Sequence, residues 1–281
     1  MPVRQVTRGY LPDITMPAGL AAGRGEKKLF ADLHDKVLMK SVRPNKTTAG
    51  YKSTYLIPHE PPVYDQLDIG SCVLNATCGA LNVLLAAQGG HTEELARLFL
   101  YWLCRMEMGT LNEDSGTYTH LAVERIGTIG VCQENMWQYS DENFLMPNGH
   151  AVAPGPECFP AASDNKPTGW ASIAGTGATR LEQMEAAIRH DHPIIFGATV
   201  GSNIQDYQPG QVITIPKDNI GGHAMVVTGV VYKQGVRTWR IRNSWGADYG
   251  ENGHLYIDDA YAGWAEFDDL WALTMVDPLM F

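Results

Sequence analysis

Residues 64–88 read YDQLDIGSCVLNATCGALNVLLAAQ. From Cys72 onward this stretch is apolar or small on every side, which predicts a buried helix starting at about residue 71 and stopping before Gly89-Gly90. Just upstream, His59-Glu60-Pro61-Pro62 is a break, because consecutive prolines forbid helix and lack ladder donors. Downstream, the spacing predicts a second helix over 93–108, with Leu95, Leu98, Phe99, Trp102 and Leu103 on one side. A third is predicted over 118–129, stopping at Gly130, and a fourth over 181–189, ending before His192-Pro193. Residues 141–179 are rich in Pro, Gly, Asn and Ser and read as a long irregular connection.

Beyond residue 193 the texture changes. IIFGATV, QVITI, HAMVVTGVVY, TWRIRN and HLYID are short β-branched or aromatic runs separated by Gly, Pro and Asn. Helices first and strands second imply an α+β protein with two lobes. Residues 1–50 show little periodicity and read as an extended arm with at most one short helix near 26–36. Neither an internal repeat nor a low-complexity segment stands out.

Composition narrows the function. The chain of 281 residues, 44% apolar with seven tryptophans, is long enough for one large domain or two lobes around a sizeable core. Its formal net charge of −10 argues against nucleic acid, since phosphate binding needs a concentrated basic face. No apolar run reaches the roughly 20 residues that span a bilayer. The first twenty residues lack the uninterrupted apolar core of a secretory signal. With Met1 as the start, the expectation is synthesis in a reducing cytoplasm, with export as an effector or incorporation in a larger particle left open. The five cysteines, at 72, 78, 104, 132 and 158, form an odd set without CxxC spacing. They read as free thiols, neither a disulfide framework nor a zinc site.

One of the five stands apart. Cys72 falls where the predicted helix begins, and unpaired N–H groups and the helix dipole favour a thiolate there. Taken alone, such a cysteine is more often structural. His223 opens the HAMVVTGVVY run behind Gly221-Gly222, and Asn243 closes the TWRIRN run with Trp245 two residues on. An asparagine carbonyl can accept the second N–H of a histidine and fix its tautomer, and an indole over that contact would exclude water. Gln66, six residues before Cys72, could supply an amide donor beside the cysteine N–H and so complete an oxyanion hole. The bland alternatives are a satisfied core histidine, a glycine-rich turn at NSWG and a solvated glutamine. Four weak signals in one order favour a shared site.

These residues resemble the papain-like cysteine peptidases, the group that includes the cathepsins. Residues 64–76 are similar to the family block around its glutamine and nucleophile. Residues 222–229, GHAMVVTG, resemble the histidine block, and 243–253, NSWGADYGENG, the asparagine block. The intervening stretch resembles bacterial and viral-type branches more than lysosomal cathepsins. The resemblance implies a papain-like two-lobe α+β fold, with a helical left lobe, an antiparallel β-barrel-like right lobe and the active-site cleft between them. The peptidase domain would occupy 51–281, about 60–165 in the helical lobe and about 166–281 in the β lobe. It implies a hydrolase acting on polypeptides, with Cys72 as nucleophile, His223 as base, Asn243 orienting the ring and Gln66 in the oxyanion hole. Neither metal nor organic cofactor is required. Ser115-Gly116 stands where the family holds an extended substrate backbone, and Gly222, Ala224 and Trp245 fall along the same cleft. Ile69 replaces a family cysteine, so one familiar disulfide cannot form, and Val73 replaces the usual aromatic after the nucleophile. Two rival readings keep the fold: a thioester-forming transferase or cross-linking enzyme, and a non-catalytic structural or interaction module.

Overall fold

In a computed structural model of the chain, residues 52–90, 93–174 and 176–274 are described. The expected arm over 1–50 and its short helix lie outside them. Seven strands and seven α-helices follow in chain order within the described residues. Strand β1 is Tyr55–Leu56, and three longer helices come next: α1 Cys72–Ala87, α2 Arg97–Met108 and α3 Thr119–Thr128. The short α4, Cys158–Ala162, leads to β2, Gly169–Ile173, then α5, Gly177–Arg189, β3, Ile194–Val200, and α6, Ser202–Gln205. The chain closes with β4 Gly221–Lys233, β5 Val236–Arg242, β6 His254–Asp258, α7 Asp259–Ala262 and β7 Phe267–Thr274.

Helix α1 is the spine of the molecule. Nearly all of its residues are buried, so it is apolar all round rather than amphipathic. Its buried polar side chains are each bonded. Thr77 Oγ1 donates to the Val73 carbonyl at 2.7 Å, and Asn82 Nδ2 donates to the Tyr64 hydroxyl at 2.7 Å. The helix stops where Gly89 takes φ 73°, which turns Gly90 N–H back onto the Leu85 carbonyl at 2.9 Å. Helix α2 starts later than the spacing predicts. Leu95 pairs with Gln133 in a β-bridge and Ala96 N–H donates to the Cys132 carbonyl, so the chain is still extended there.

The strands form one antiparallel sheet in the order β2-β7-β3-β4-β5-β6, with β1 added against β4. Its outer strands β2 and β6 do not pair with each other, so among the described residues the sheet is open. The expectation of a barrel-like lobe is corrected to that extent. The β1 strand reaches β4 through a close approach, since a Cβ on Gly229 would stand 2.4 Å from Leu56 Cδ2. Two further expectations are corrected. The 141–179 connection contains a helix and the strand β2, which pairs with β7 across about a hundred residues. QVITI, in contrast, makes only a single parallel bridge, Ile213 to Ile257. Pro209 and Pro216 bracket it and prevent a longer ladder.

One buried cluster gathers α1, α2 and α3 with Ala224, Val226 and Trp271 from the sheet; the other gathers α5 and the sheet's opposite face with Val83 of α1. Helix α1 therefore touches both cores, and its N-terminus meets the sheet at β4. All five cysteines are free and buried. No described helix is long and apolar enough to cross a membrane.

A buried ion cluster ties the segment before α1 to the sheet. Glu60 pairs with Arg240, with Arg242 at 3.2 Å and with His254 Nε2 at 2.6 Å. Arg242 also donates to the carbonyls of Pro61 and Pro62. Burial would raise the Glu60 carboxyl, but the hydrogen bond and charge of His254 and the charges of Arg240 and Arg242 outweigh it and hold it at about 2. A carboxyl depressed from its ordinary 4.5 contributes stability that is fully present above that value and lost as pH falls toward 2. The shift corresponds to about 3 kcal/mol. Glu60→Gln is expected to lower the melting temperature at pH 7 and to narrow that deficit progressively between pH 4.5 and 2, as read by thermal melts across the range. A deficit of equal size at every pH would contradict the assignment.

Candidate active site

His223 and Asn243 meet where β4 lies beside the end of β5, the loop that carries Gln66 is bonded to Ser244 just beyond, and Cys72 opens α1, which packs against β4. Cys72 is the first residue of α1, 1% exposed. Burial pushes its thiol up to about 12. Opposing this, the main-chain amides of Ala224, Val73 and Cys72 itself bond the sulfur and favour its ionised form, while the Asp114 carboxylate raises it further. Cys72 packs in the same buried cluster as Ala224, the residue that follows His223 on β4.

His223 is 3% exposed and sits within the β3–β4 ladder opposite Ala198. Its Nε2 lies 2.7 Å from Asn243 Oδ1. Because the same oxygen accepts the Ser244 N–H at 2.8 Å, it is oriented as an acceptor, so Nε2 carries the proton and Nδ1 is left with its lone pair. Burial pushes the imidazole down to about 4, against the opposing effect of the Asn243 hydrogen bond. Trp245 stacks on the imidazole at 5.0 Å between centroids and 26° between planes, and Tyr249 packs edge-on against Trp245 at 4.9 Å. Asn243 is itself fixed, its N–H donating to the Gly253 carbonyl at 3.0 Å.

The loop before Cys72 is bound to the same place. Gln66 N–H donates to the Ser244 carbonyl at 2.8 Å, and Asp65 forms a bridge with Trp245. The Gln66 side chain accepts from Ser244 Oγ at 2.6 Å and donates to the Ile69 carbonyl at 3.2 Å. The Gln66 main-chain carbonyl accepts from the Tyr139 hydroxyl at 2.7 Å, and that hydroxyl meets Ser71 Oγ at 2.5 Å. Asn75 Nδ2 completes the chain by donating to Ser71 Oγ at 2.9 Å. Beneath it the Arg97 guanidinium lies between the Tyr64 and Tyr139 rings, at 4.3 and 4.2 Å. It bonds the Asp65 carbonyl, Asn75 Oδ1 and Glu134. The amide of Gln66 is therefore fixed at both ends.

Ser115 and Gly116 lie on the loop after α2. Ser115 Oγ pairs with Thr110 Oγ1 at 2.8 Å, and Gly116 takes φ 68°, a conformation that favours glycine. Gly222 pairs with Thr199 and Ala224 with Gly197 in the β3–β4 ladder. Sequence reasoning missed Tyr139, Arg97, Asp114 and Ser244. Ser244 stood inside the NSWG stretch, but Tyr139 and Arg97 act from segments distant in the chain and carry no local signal.

Comparison with known proteins shows the family. Residues 59–268 match the model of the papain family cysteine proteases, three quarters of the chain. The chain belongs to that family and is a cysteine peptidase, a hydrolase whose substrates are polypeptides. It is 28% identical over 264 residues to an uncharacterised peptidase C1-like protein of Acanthamoeba polyphaga mimivirus, covering 86% of this chain and 82% of that protein. It is 30% identical over 195 residues to a viral cathepsin of Mamestra configurata nucleopolyhedrovirus, covering 69% of this chain and 52% of the relative. Among solved structures it is similar to xylellain, a cysteine protease from Xylella fastidiosa. The TM-score is 0.73 at 24% identity, over 99% of both chains.

Proposed function

We propose that the chain hydrolyses peptide bonds with Cys72 as nucleophile, His223 as general base and acid, Asn243 as the group that orients the imidazole and Gln66 as an oxyanion donor. The observation that carries this reading is the His223–Asn243 bond at 2.7 Å under Trp245, on the strand whose next residue, Ala224, packs in the same buried cluster as Cys72. With Nε2 committed to Asn243, Nδ1 takes the thiol proton. That transfer creates two adjacent opposite charges and no net charge, which offsets the burial that disfavours either ion alone. The thiolate then attacks the scissile carbonyl carbon. The developing oxyanion accepts hydrogen bonds from Gln66 Nε2 and the Cys72 N–H. Nδ1–H gives its proton to the leaving amine, the C–N bond breaks and an acyl thioester remains. His223 next takes a proton from water, the hydroxide attacks the thioester, and the acid and the thiolate are released.

The cleft would run between a helical lobe over about 60–165 and a sheet lobe from about 166. Ser115 and Gly116 would hold an extended substrate backbone from one side, and Gly222, Ala224 and Trp245 would wall the other. Cleavage of a peptide library in ¹⁸O-water tests the reading. One labelled oxygen is expected in each new carboxylate. Products carrying an added amine instead of water would assign the chain to acyl transfer, and the absence of any cleavage would overturn the enzymatic reading.

A further inference from the structure

A relay of hydrogen bonds crosses from the loop after α2 to the loop before the cysteine. Gly116 N–H donates to the Tyr101 hydroxyl at 2.8 Å, and that hydroxyl donates to Asp114 Oδ1 at 2.8 Å. The other oxygen, Oδ2, accepts from Gly70 N–H at 2.8 Å. Gly70 is two residues before Cys72, and Gly116 belongs to the pair assigned above to the substrate backbone. Arg105, 1% exposed, supports the relay from behind. It lies 4.4 Å over both the Tyr101 and Phe144 rings and donates to the Leu111 carbonyl at 2.7 Å and the Glu113 carbonyl at 3.2 Å.

We propose that Asp114 is a positioning residue: its carboxylate, shared between Gly70 and Tyr101, sets the register of the nucleophile's loop against the loop that binds substrate. The inference rests on the function proposed above and assigns a role to a residue outside the Cys72, His223, Asn243 and Gln66 set. A neutral acceptor would hold Gly70 equally well, so the charge has a separate consequence. The ionisable or charged groups facing Asp114 are Tyr101 and Arg105 from α2, Tyr139 and Cys72. Its negative charge opposes thiolate formation at Cys72. It therefore moves the thiol ionisation to higher pH.

Three substitutions separate position from charge. Asp114→Asn keeps an oxygen for Gly70 and removes the charge. The acid limb of the kcat/KM pH profile, set by the thiol, is expected to move down by about half a unit, with KM within about twofold. Tyr101→Phe breaks the relay at the hydroxyl but keeps the ring under Arg105. It is expected to raise KM several-fold for peptides that extend across Ser115-Gly116, with the pH profile unmoved. Asp114→Ala should show both effects. Melting curves and the yield of a thiol-directed electrophile on Cys72 accompany each variant. If Cys72 is labelled and the parent hydrolyses peptides, yet Asp114→Asn leaves the acid limb in place and Tyr101→Phe leaves KM unchanged, the proposal is overturned while the catalytic reading stands. If Cys72 of the parent is not labelled, the catalytic reading itself fails.

Discussion

Cys72→Ala is expected to lower peptide hydrolysis by roughly 10³-fold or more. The sulfur makes the acyl bond in the proposed reaction, and alanine offers no nucleophilic atom in its place. Folding should survive. The site is 1% exposed, so loss of one sulfur leaves a small void with a cost of about 1 kcal/mol. A melting curve close to the parent's, together with lost turnover measured on a fluorogenic peptide, is the expected result. Retained turnover in a folded Cys72→Ala chain would remove the mechanism.

The next largest effect is expected at Gln66. Removing one preformed oxyanion donor costs about 10²–10³ in kcat with little change in KM, because the donor matters only as charge develops. In the resting site Gln66 Nε2 is held by a 3.2 Å bond to the Ile69 carbonyl, a weak bond that is exchanged for a stronger one to an oxyanion. Gln66 has a second task, since its Oε1 accepts from Ser244 Oγ. Three variants separate the two. Gln66→Ala loses donor and acceptor. Gln66→Glu keeps an acceptor for Ser244 but has no donor and adds a negative charge. Ser244→Ala keeps the donor and loses only its anchor. Both Gln66 variants should fall by two orders of magnitude or more, and Ser244→Ala by less than tenfold. A Ser244→Ala defect as deep as that of Gln66→Ala would assign the loss to loop geometry instead of the oxyanion.

Much of this was legible in the chain because its signals are local. The apolar run after Ser71 has no polar face, so it could only be a buried helix, and its last turn is set by Gly89-Gly90. HLYID forms a strand over its full length because each residue alternates against β5. The elements that sequence missed depend on distant partners. GWASI has strand-forming residues but sits among Gly, Ser and Pro, and it becomes β2 only because β7 returns from the far end of the chain. QVITI shows the reverse, a run with strand propensity that prolines confine to one bridge. At the candidate site, Cys72, His223, Asn243 and Gln66 are proposed from type and order. The support for Gln66 did not, because Tyr139 and Arg97 reach it from separate segments through hydroxyl and guanidinium bonds that no spacing encodes.

The stacked imidazole explains why the local residues suffice for a resemblance but not for reactivity. Burial alone holds Cys72 protonated and His223 neutral, so the proposed mechanism requires that the two exchange their proton. The chain's own reaction with a thiol-directed peptidyl electrophile, followed across pH and located by peptide mass mapping, measures this directly. A single adduct on Cys72, forming well below the ordinary thiol range near about 8.5 and abolished by His223→Ala, is the predicted result. Adducts spread over Cys78, Cys104, Cys132 and Cys158, or a Cys72 rate that follows an ordinary thiol and ignores His223→Ala, would contradict it.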